Sequence, residues 1–320
     1  MGQISGRKSL WRRGSEIYVE KFELPGQLDW SGTTQEERVH QNAINRVRLA
    51  HEVEKGELLY VAFSGGKDST ALWEIVCEAA EKDGVPIELY AARHYNITGI
   101  DPPELVYHMR DNCPDLNWRM YDQSFWRLVV TKGPPTRLKR WCCAELKEGG
   151  GAGCMCCTGV RWAESQKRAG RAAFEKYAAK KENKILLNDN DDARRYFEHC
   201  IPKSRRICNP IVDWTTDNVW DYIRDRGAPY CKLYDDGFKR LGCIGCPMAG
   251  EMRKVAFERW PKYKYNYIRA FDRMVRRSLD AGVTYNLGWT CGQDVFDWWM
   301  DDRNMDKPVP GQMEWDDMTD

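Results

Sequence analysis

The sequence lacks several features that mark special classes of protein. No apolar run in its 320 residues approaches the roughly 20 residues that a membrane-spanning helix needs. Residues Met1 to Arg13 are polar and basic without an apolar core, so we expect no secretory signal, no membrane partner and a cytoplasmic location. The formal net charge is only +1. Such a balance argues against a protein that coats nucleic acid through bulk charge, but a local basic patch is compatible with it.

Histidine is scarce in the chain, whereas cysteine is abundant. All five histidines lie at or before His199, so a site near the C-terminus has no histidine of its own. In a chain without a secretory signal, 13 cysteines indicate metal or redox chemistry rather than a disulfide framework.

Short apolar runs alternate with helical stretches, and this order predicts an α/β fold built on a doubly wound parallel sheet. Leu58–Phe63 predicts a buried first strand, and Asp68–Lys82 predicts the helix that follows it. We expect a second buried strand over Ile87–Ala92, a second helix over Pro103–Asn112 and a third strand over Asn117–Tyr121. Strand, helix and strand at this spacing indicate right-handed βαβ units.

The flanking segments predict other structure. Residues 1–56 read as a helical N-terminal extension, with Thr33 or Thr34 as the helix cap. Residues 131–160 are rich in Gly, Pro and Cys and predict a segment that is largely loop, whereas the charged residues 161–184 predict a helix. Residues 251–320 read as a C-terminal helical and cysteine-containing region that ends in a mobile acidic tail.

Three further elements are expected between these flanks. Lys184–Leu187 returns to the sheet, Ile207–Val212 forms another strand, and Thr215 or Thr216 caps a helix that Gly227 ends.

The glycine loop, defined as residues Ser64–Ser69 (Ser64, Gly65, Gly66, Lys67, Asp68 and Ser69), lies between the first predicted strand and its helix. Glycines let a backbone approach an anion closely, and the amides and dipole of the following helix favour negative charge. We therefore predict an exposed phosphate-binding turn in which Lys67 and Asp68 are catalytic residues. It is not a Walker A loop, because Val61 stands where that pattern needs glycine, and it lacks the spacing of dinucleotide-binding loops.

Four later segments follow the glycine loop in the order of a known family: Thr98–Glu104, Gly159–Arg168, Asn209–Trp220 and Leu233–Cys246. Over about residues 57–250, the chain resembles the PAPS reductase family of the N-type ATP pyrophosphatases, which belong to the adenine nucleotide alpha hydrolase-like superfamily. The first of these segments is similar to the family's Asp-Thr-Gly…Pro-Glu-Thr stretch, with Ile97 in place of the aspartate.

The resemblance implies a nucleotide-binding domain over residues 57–250, with separate flanks at 1–56 and 251–320. It implies that ATP, or APS or PAPS, contacts the glycine loop and six further residues: Thr98, Gly99, Arg161, Glu164, Ser165 and Arg168. Arg161 and Arg168 lie seven residues apart, which on a helix would place both guanidinium groups on one face to grip an anion.

The four-thiol group, defined as Cys142, Cys143, Cys243 and Cys246, has ligand-like spacing. Four thiolates can hold an iron-sulfur cluster or a zinc ion. The same arrangement occurs in the cluster-bearing reductases and in the ATPase component of DNA phosphorothioation systems, and the resemblance implies a [4Fe-4S] cluster. Zinc is the alternative, and unligated thiols are the third reading.

The other cysteines lack such spacing. Cys154, Cys156 and Cys157 are expected in the glycine-rich loop, as a second metal site, a sulfur-relay site or flexible thiols. We expect the rest to pack as small apolar side chains: Cys77, Cys113, Cys200, Cys208 and Cys231.

The family's reductases carry a nucleophilic cysteine in a Cys-Gly-x-His context, and Cys291-Gly292-Gln293-Asp294 matches only its first two positions. We therefore expect an ATP pyrophosphatase that uses Mg²⁺ and adenylates a substrate for sulfur transfer. Its alternatives are an APS or PAPS reductase that uses Cys291, and a non-catalytic nucleotide sensor.

The expected partners are an adenine nucleotide and a sulfur donor or thioredoxin-like protein. The basic stretch over residues 161–184 allows either nucleic-acid contact or a solvated helix.

Overall fold

The computed structural model of the chain describes residues 32–148, 150–151, 153–177, 205–282 and 288–304. Its six described strands are β1 Leu59–Ala62, β2 Ala91–Ile97, β3 Asn117–Met120, β4 Met155–Cys157, β5 Phe174–Tyr177 and β6 Arg205–Cys208. They form one sheet in the order β3-β2-β1-β4-β6-β5. Neighbours pair in parallel except β5, which runs antiparallel to β6. The chain moves outward from β1 on one side and returns to β4 on the other, which confirms the doubly wound α/β fold.

Ten described α-helices surround or follow this sheet. They are α1 Gln35–Val53, α2 Lys67–Asp83, α3 Ile87–Tyr90, α4 Pro103–Asn112, α5 Phe125–Lys132, α6 Trp141–Leu146, α7 Thr216–Asp225, α8 Met252–Arg259, α9 Pro261–Asp280 and α10 Gly292–Met300. Short 3₁₀ turns cover Trp162–Glu164, Gln166–Arg168, Lys232–Tyr234, Pro247–Ala249 and Asp302–Asn304. None of the helices in these ranges is long and apolar enough to cross a membrane.

The N-terminal helix α1 begins where a capping pair predicts it. The Thr34 hydroxyl accepts from the Glu37 amide at 3.2 Å, and the Thr34 amide donates to the Glu37 carboxylate at 2.7 Å. This reciprocal pair satisfies two of the amides that a helix start leaves open. Ala43, Ile44 and Val47 are fully buried, so α1 packs into the same apolar core as the sheet.

One strand prediction is wrong in detail. Ile87–Tyr90 forms a short helix after Pro86, and the strand expected over Ile87–Ala92 begins only at Ala91. Residues 131–160 are largely loop in their described part, as predicted, but α6 and the interior strand β4 also lie within them. The strand Met155–Cys157 is fully buried, and its thiols act as small apolar groups that a count of aliphatic residues overlooks.

The expected helix over residues 161–184 is also wrong in its described part. Two 3₁₀ turns are followed by the edge strand β5. Ser165 between the turns is extended, with φ −171° and ψ 157°, which no helix allows. The predicted strand over Lys184–Leu187, Cys200 and the end of the acidic tail lie outside the described residues.

Candidate nucleotide-binding site

The glycine loop lies at the point where the sheet reverses its direction of winding. It follows β1, whose neighbours β2 and β4 are reached by connections that leave in opposite directions. In open α/β sheets this arrangement leaves a crevice at the carboxyl ends of the strands, where ligands bind. Gly66 is the N-cap of the 17-residue helix α2, so the first amides of α2 face the same crevice.

Hydrogen bonds within the glycine loop fix its shape. The Ser69 hydroxyl donates to the Gly66 carbonyl at 2.9 Å and accepts from the Ser64 amide at 3.1 Å. Gly65 has φ +70°, and a Cβ atom there would lie 2.5 Å from the sulfur of Met109. The loop therefore requires glycine at position 65 for both backbone conformation and packing against α4.

A chain of charges crosses the start of α2. The Lys67 ammonium lies 2.9 Å from the Asp68 carboxylate, which also accepts from the Arg161 Nε at 2.7 Å. Arg161 is only 2% exposed and donates a second hydrogen bond, of 3.1 Å, to the Trp214 carbonyl. Lys67 is 7% exposed, so the prediction of an exposed site is wrong for this side chain. Two cations share one carboxylate, which leaves the group with a net positive charge that favours an anion.

Arg161 and Arg168 do not share a helix face as predicted, and their binding of an anion stays a prediction. Residues 161–168 are not α-helical, and Arg161 turns inward to Asp68. Arg168 instead pairs with Glu164, whose carboxylate also accepts from the Arg161 amide at 3.1 Å. Glu164 therefore holds this segment together, and Ser165 beside it is exposed.

Two residues at the loop were not among the predicted site residues. The Tyr234 hydroxyl accepts from the Lys67 amide at 2.8 Å. Gly159 faces the backbone of Asp68, where an added Cβ would lie 3.0 Å from the carbonyl oxygen. Both positions fall in segments that carry the family resemblance, so the resemblance could have identified them as site residues. Burial raises the pKa of Tyr234, which keeps its hydroxyl protonated at neutral pH.

Thr98 and Gly99 lie in the turn after β2, next to the cysteines. The Thr98 amide donates to the Asp101 carboxylate at 2.7 Å, and the Thr98 hydroxyl lies 3.7 Å from the Cys243 sulfur. The Ile244 amide donates to the Ile100 carbonyl at 2.7 Å. The end of β2 is thus bound directly to the Cys243–Cys246 turn.

The four thiols are close enough to influence one another's charge. The hydrogen bond between Cys142 and Cys143 raises the pKa of Cys142 and lowers that of Cys143, and the charges of Cys243 and Cys246 raise the pKa of Cys142 further. Burial raises the pKa of Cys243 to about 11, against the effect of the Lys147 charge.

Two positively charged side chains, Arg140 and Lys147, lie beside these thiols. The Arg140 guanidinium donates to the Cys143 sulfur at 3.1 Å. Burial would lower the pKa of Lys147, but the negative charges of Cys243, Asp101 and Cys143 raise it well above its usual value. The positive charges of Arg140 and Lys147 stabilise the thiolate form of neighbouring cysteines.

A single metal ion and an iron-sulfur cluster need different spacings of their thiolate ligands. Within the described ranges, no three His, Cys, Asp or Glu side chains are placed to hold a single metal ion. A [4Fe-4S] cluster takes one thiolate per iron, so its ligands stand farther apart than those of one ion. The chemistry of the donor set, four thiols with Arg140 and Lys147 beside them, is compatible with such a group.

Comparison with known proteins decides the family. The sequence profile of the phosphoadenosine phosphosulfate reductase domain matches residues 58–249. The chain belongs to the phosphoadenosine phosphosulfate reductase domain family. Its matched region is a PAPS reductase-like adenine-nucleotide-binding domain.

Individual relatives match the chain either at low sequence identity or over a short stretch. An uncharacterized protein of Methanocaldococcus jannaschii is 28% identical over 248 residues, which are 72% of this chain and 45% of that protein. The adenosine 5'-phosphosulfate reductase of Oceanobacillus iheyensis is 48% identical over 44 residues, 14% of this chain and 18% of that enzyme. The chain therefore spans less than half the length of these relatives.

Two solved structures illustrate the structural similarities. The PAPS reductase of Candida auris in its phosphate complex has a TM-score of 0.41 and 15% identity, covering 66% of this chain and 95% of that one. The tRNA thiolase of Methanococcus maripaludis with its [4Fe-4S] cluster has a TM-score of 0.39 and 13% identity, covering 79% and 83%.

Cys156 and Cys157, expected in a loop of this PAPS reductase-like domain, instead lie in the interior strand β4. Both are fully buried, so neither is a flexible thiol. Cys157 stands in register with Cys208 of β6, and a hydrogen bond between their thiols, together with burial, raises the pKa of Cys157 well above its usual value. The packing role expected for Cys208 is confirmed, and buried Cys113 and Cys231 behave in the same way.

Cys291, predicted as the nucleophile in the reductase alternative, is the N-cap of α10. Its amide donates to the Asp294 carboxylate at 3.1 Å, and the Thr290 amide donates to the same carboxylate at 2.8 Å. Asp294 stands where the reductase motif has histidine, and it caps the helix. Gly292 packs against α9 so closely that an added Cβ would lie 2.1 Å from the Ile268 carbonyl.

Proposed function

We propose that this protein is an ATP pyrophosphatase that adenylates a substrate so that a sulfur nucleophile can displace AMP. The observation that carries the proposal is the charged chain of Lys67, Asp68 and Arg161 at the start of α2. It supplies net positive charge at the crevice where an open α/β sheet binds its ligand.

The residues of the glycine loop perform the electrostatic part of this reaction. The triphosphate lies along the amides of the loop and the first turn of α2. Lys67, oriented by Asp68, stabilises the negative charge that develops on pyrophosphate as the bond between the α- and β-phosphates breaks. Arg161, held by the Trp214 carbonyl, fixes Asp68 and therefore Lys67. Mg²⁺ supplies further neutralisation of the triphosphate when bound.

The surroundings of Cys291 favour this chemistry over sulfonucleotide reduction. The carboxylate of Asp294 occupies the motif position of the family's histidine and accepts from the Thr290 and Cys291 amides. No imidazole stands at that position to assist the thiol, so we assign no nucleophilic role to Cys291. The assay must therefore distinguish an ATP pyrophosphatase from an APS or PAPS reductase.

A pyrophosphate-release assay with ATP and Mg²⁺ tests the proposal. We expect release by the wild type and a loss of about tenfold or more in Lys67→Ala, because one charged contact with the leaving group is removed. Lys82→Ala, at the exposed far end of the same helix, is the matched control. Sulfite release from APS with thioredoxin, lost in Cys291→Ser, would instead show a reductase. Tight ATP binding without any turnover would show a sensor.

We further propose that the four-thiol group holds a [4Fe-4S] cluster, with Cys142, Cys143, Cys243 and Cys246 as ligands. When bound, the cluster would supply a structural centre or a sulfur-transfer centre. Anaerobically purified protein should be brown and contain about four irons per chain. Cys243→Ser should lose the iron, whereas Cys231→Ser, a buried packing cysteine, should retain it. Colourless protein with stoichiometric zinc would overturn the cluster.

A further inference from the structure

Helix α9 carries a stripe of basic side chains on its outer face. Five exposed cations fall within an arc of roughly 100° at 100° per residue. They are Lys262, Arg269, Arg273, Arg276 and Arg277. At 1.5 Å per residue, the stripe runs about 22 Å along the helix.

Most of the cations in this stripe have no acidic partner. Arg276 pairs with Asp272 at 2.9 Å. Lys262, Arg269, Arg273 and Arg277 form no ion pair with any residue in the described part of the chain. Elsewhere in the fold, arginines such as Arg46 with Asp213 and Arg161 with Asp68 are paired. Exposed Asp280 lies on the same face, but the five cations outnumber it, so this face of a near-neutral chain carries a net positive charge.

The opposite face of α9 is already used in the core. Tyr267, Phe271 and Val275 are buried, and the Tyr267 hydroxyl donates to the Ile244 carbonyl at 2.9 Å. A basic amphipathic helix that binds a membrane needs a free apolar face, which α9 does not have. The same hydrogen bond places α9 directly against the Cys243–Cys246 turn.

The charge pattern favours a duplex over a single strand. Proteins that bind single strands stack successive bases on several exposed aromatic rings. On the outer face of α9 the exposed ring is Tyr265, and the Arg269 guanidinium lies over it at 5.6 Å. Arginine forks bind phosphate oxygens in pairs, and a row of them matches a regular phosphate backbone. B-form DNA has a major groove wide enough for a helix, whereas that of duplex RNA is too narrow.

We propose that the outer face of α9 binds the phosphate backbone of double-stranded DNA. The basic stretch over residues 161–184 is not needed for this surface, because Arg168 and Arg171 in its described part are ion-paired. The surface is independent of the glycine loop, so it goes beyond the proposed nucleotide chemistry. It names a partner whose backbone would lie near the four-thiol group.

Fluorescence anisotropy with a labelled DNA duplex, measured without ATP over a range of salt concentrations, tests the proposal. The variant is Arg269→Gln/Arg273→Gln/Arg277→Gln. The control is Arg48→Gln/Arg110→Gln/Arg224→Gln, which makes the same change in net charge at exposed, ion-paired positions. We expect the variant to bind at least about tenfold more weakly and its salt slope to fall by about 2 to 3, because about one counterion is released per phosphate contact.

Three outcomes would overturn the proposal. They are no binding by the wild type at about 50 mM salt, an equal loss in both variants, and equal or tighter binding of single-stranded DNA or duplex RNA. ATP pyrophosphate release by the variant without DNA should equal that of the wild type. The binding assay can therefore refute DNA binding by α9 without refuting the proposed ATP pyrophosphatase activity, and the pyrophosphate assay can do the reverse.

Discussion

Arg161 and Asp68 form a partly buried ion pair that joins the segment after β4 to the first turn of α2. The guanidinium Nε donates to the carboxylate at 2.7 Å, and the Arg161 side chain is only 2% exposed. The two residues follow the neighbouring strands β1 and β4, beyond their carboxyl ends. The pair therefore fixes the relative position of both sides of the candidate nucleotide-binding site.

Removal of Asp68 should destabilise the fold as well as the site. Asp68→Ala leaves the buried Arg161 without its carboxylate, and loss of one partner from a buried pair costs about 3 kcal/mol. Urea unfolding should show this loss. Asp221→Ala removes the partner of exposed Arg224 and should cost less than about 1 kcal/mol. Equal losses in the two variants would show that the Arg161 pair is not a structural link.

The Arg161 pair also shows what sequence could and could not predict. The glycine loop, its flanking strand and helix, and the helix Pro103–Asn112 follow from local patterns, because each carries its own turn, cap or apolar signal. The direction of Arg161 does not, because it depends on Asp68, 93 residues earlier in the chain. The local density of charged residues predicted a helix from residue 161 onward. Long-range contacts instead stabilise 3₁₀ turns and a strand there.

The strand β4 was missed for a different reason. Its sequence, Met155-Cys156-Cys157, follows a glycine-rich stretch that predicts a loop. Pairing with β1 on one side and β6 on the other stabilises these three residues as an interior strand. That stabilisation comes from neighbours far away in sequence, which no local pattern records.

Gly65 should tolerate alanine less well than a glycine with the same backbone conformation elsewhere. Gly65 and Gly84 have φ of +70° and +67°, but an added Cβ would meet the Met109 sulfur only at Gly65. Gly84→Ala should cost about 1 kcal/mol for backbone strain alone. Gly65→Ala should cost about 1 to 3 kcal/mol more through overpacking, and should weaken ATP binding. Thermal unfolding and an ATP titration measure both effects, and identical behaviour of the two variants would contradict the prediction.

Glu78 should make the stability of the fold depend on acid pH. Burial would raise the pKa of Glu78, but hydrogen bonds from His40 and Tyr222 and the charge of Lys82 lower it below 4.5. A depressed carboxyl pKa stabilises the fold above the unfolded value, and this stability is lost as the pH falls through the folded value. Glu78→Gln should therefore cost about 1 to 2 kcal/mol near neutral pH.

The difference between the wild type and Glu78→Gln should shrink as the pH falls below 4.5 and disappear below the folded pKa. Urea unfolding over this pH range measures it. Exposed Glu81→Gln on the same helix removes a carboxylate of equal charge as the control. A constant difference at every pH would mean that packing, not ionisation, causes the loss.

The cysteines of the core should be unreactive in the folded protein. Alkylation needs an accessible thiolate. Burial raises the pKa of Cys77 to about 12, and the hydrogen bond with Cys208 together with burial raises that of Cys157. Brief iodoacetamide treatment near neutral pH, followed by peptide mass spectrometry, should label half-buried Cys291 and leave Cys77 and Cys157 unlabelled. Urea-unfolded protein, in which all three should react, is the control. If Cys157 reacted as fast as Cys291 in the folded state, β4 would open readily, and a sulfur-relay role for Cys157 would again be a candidate.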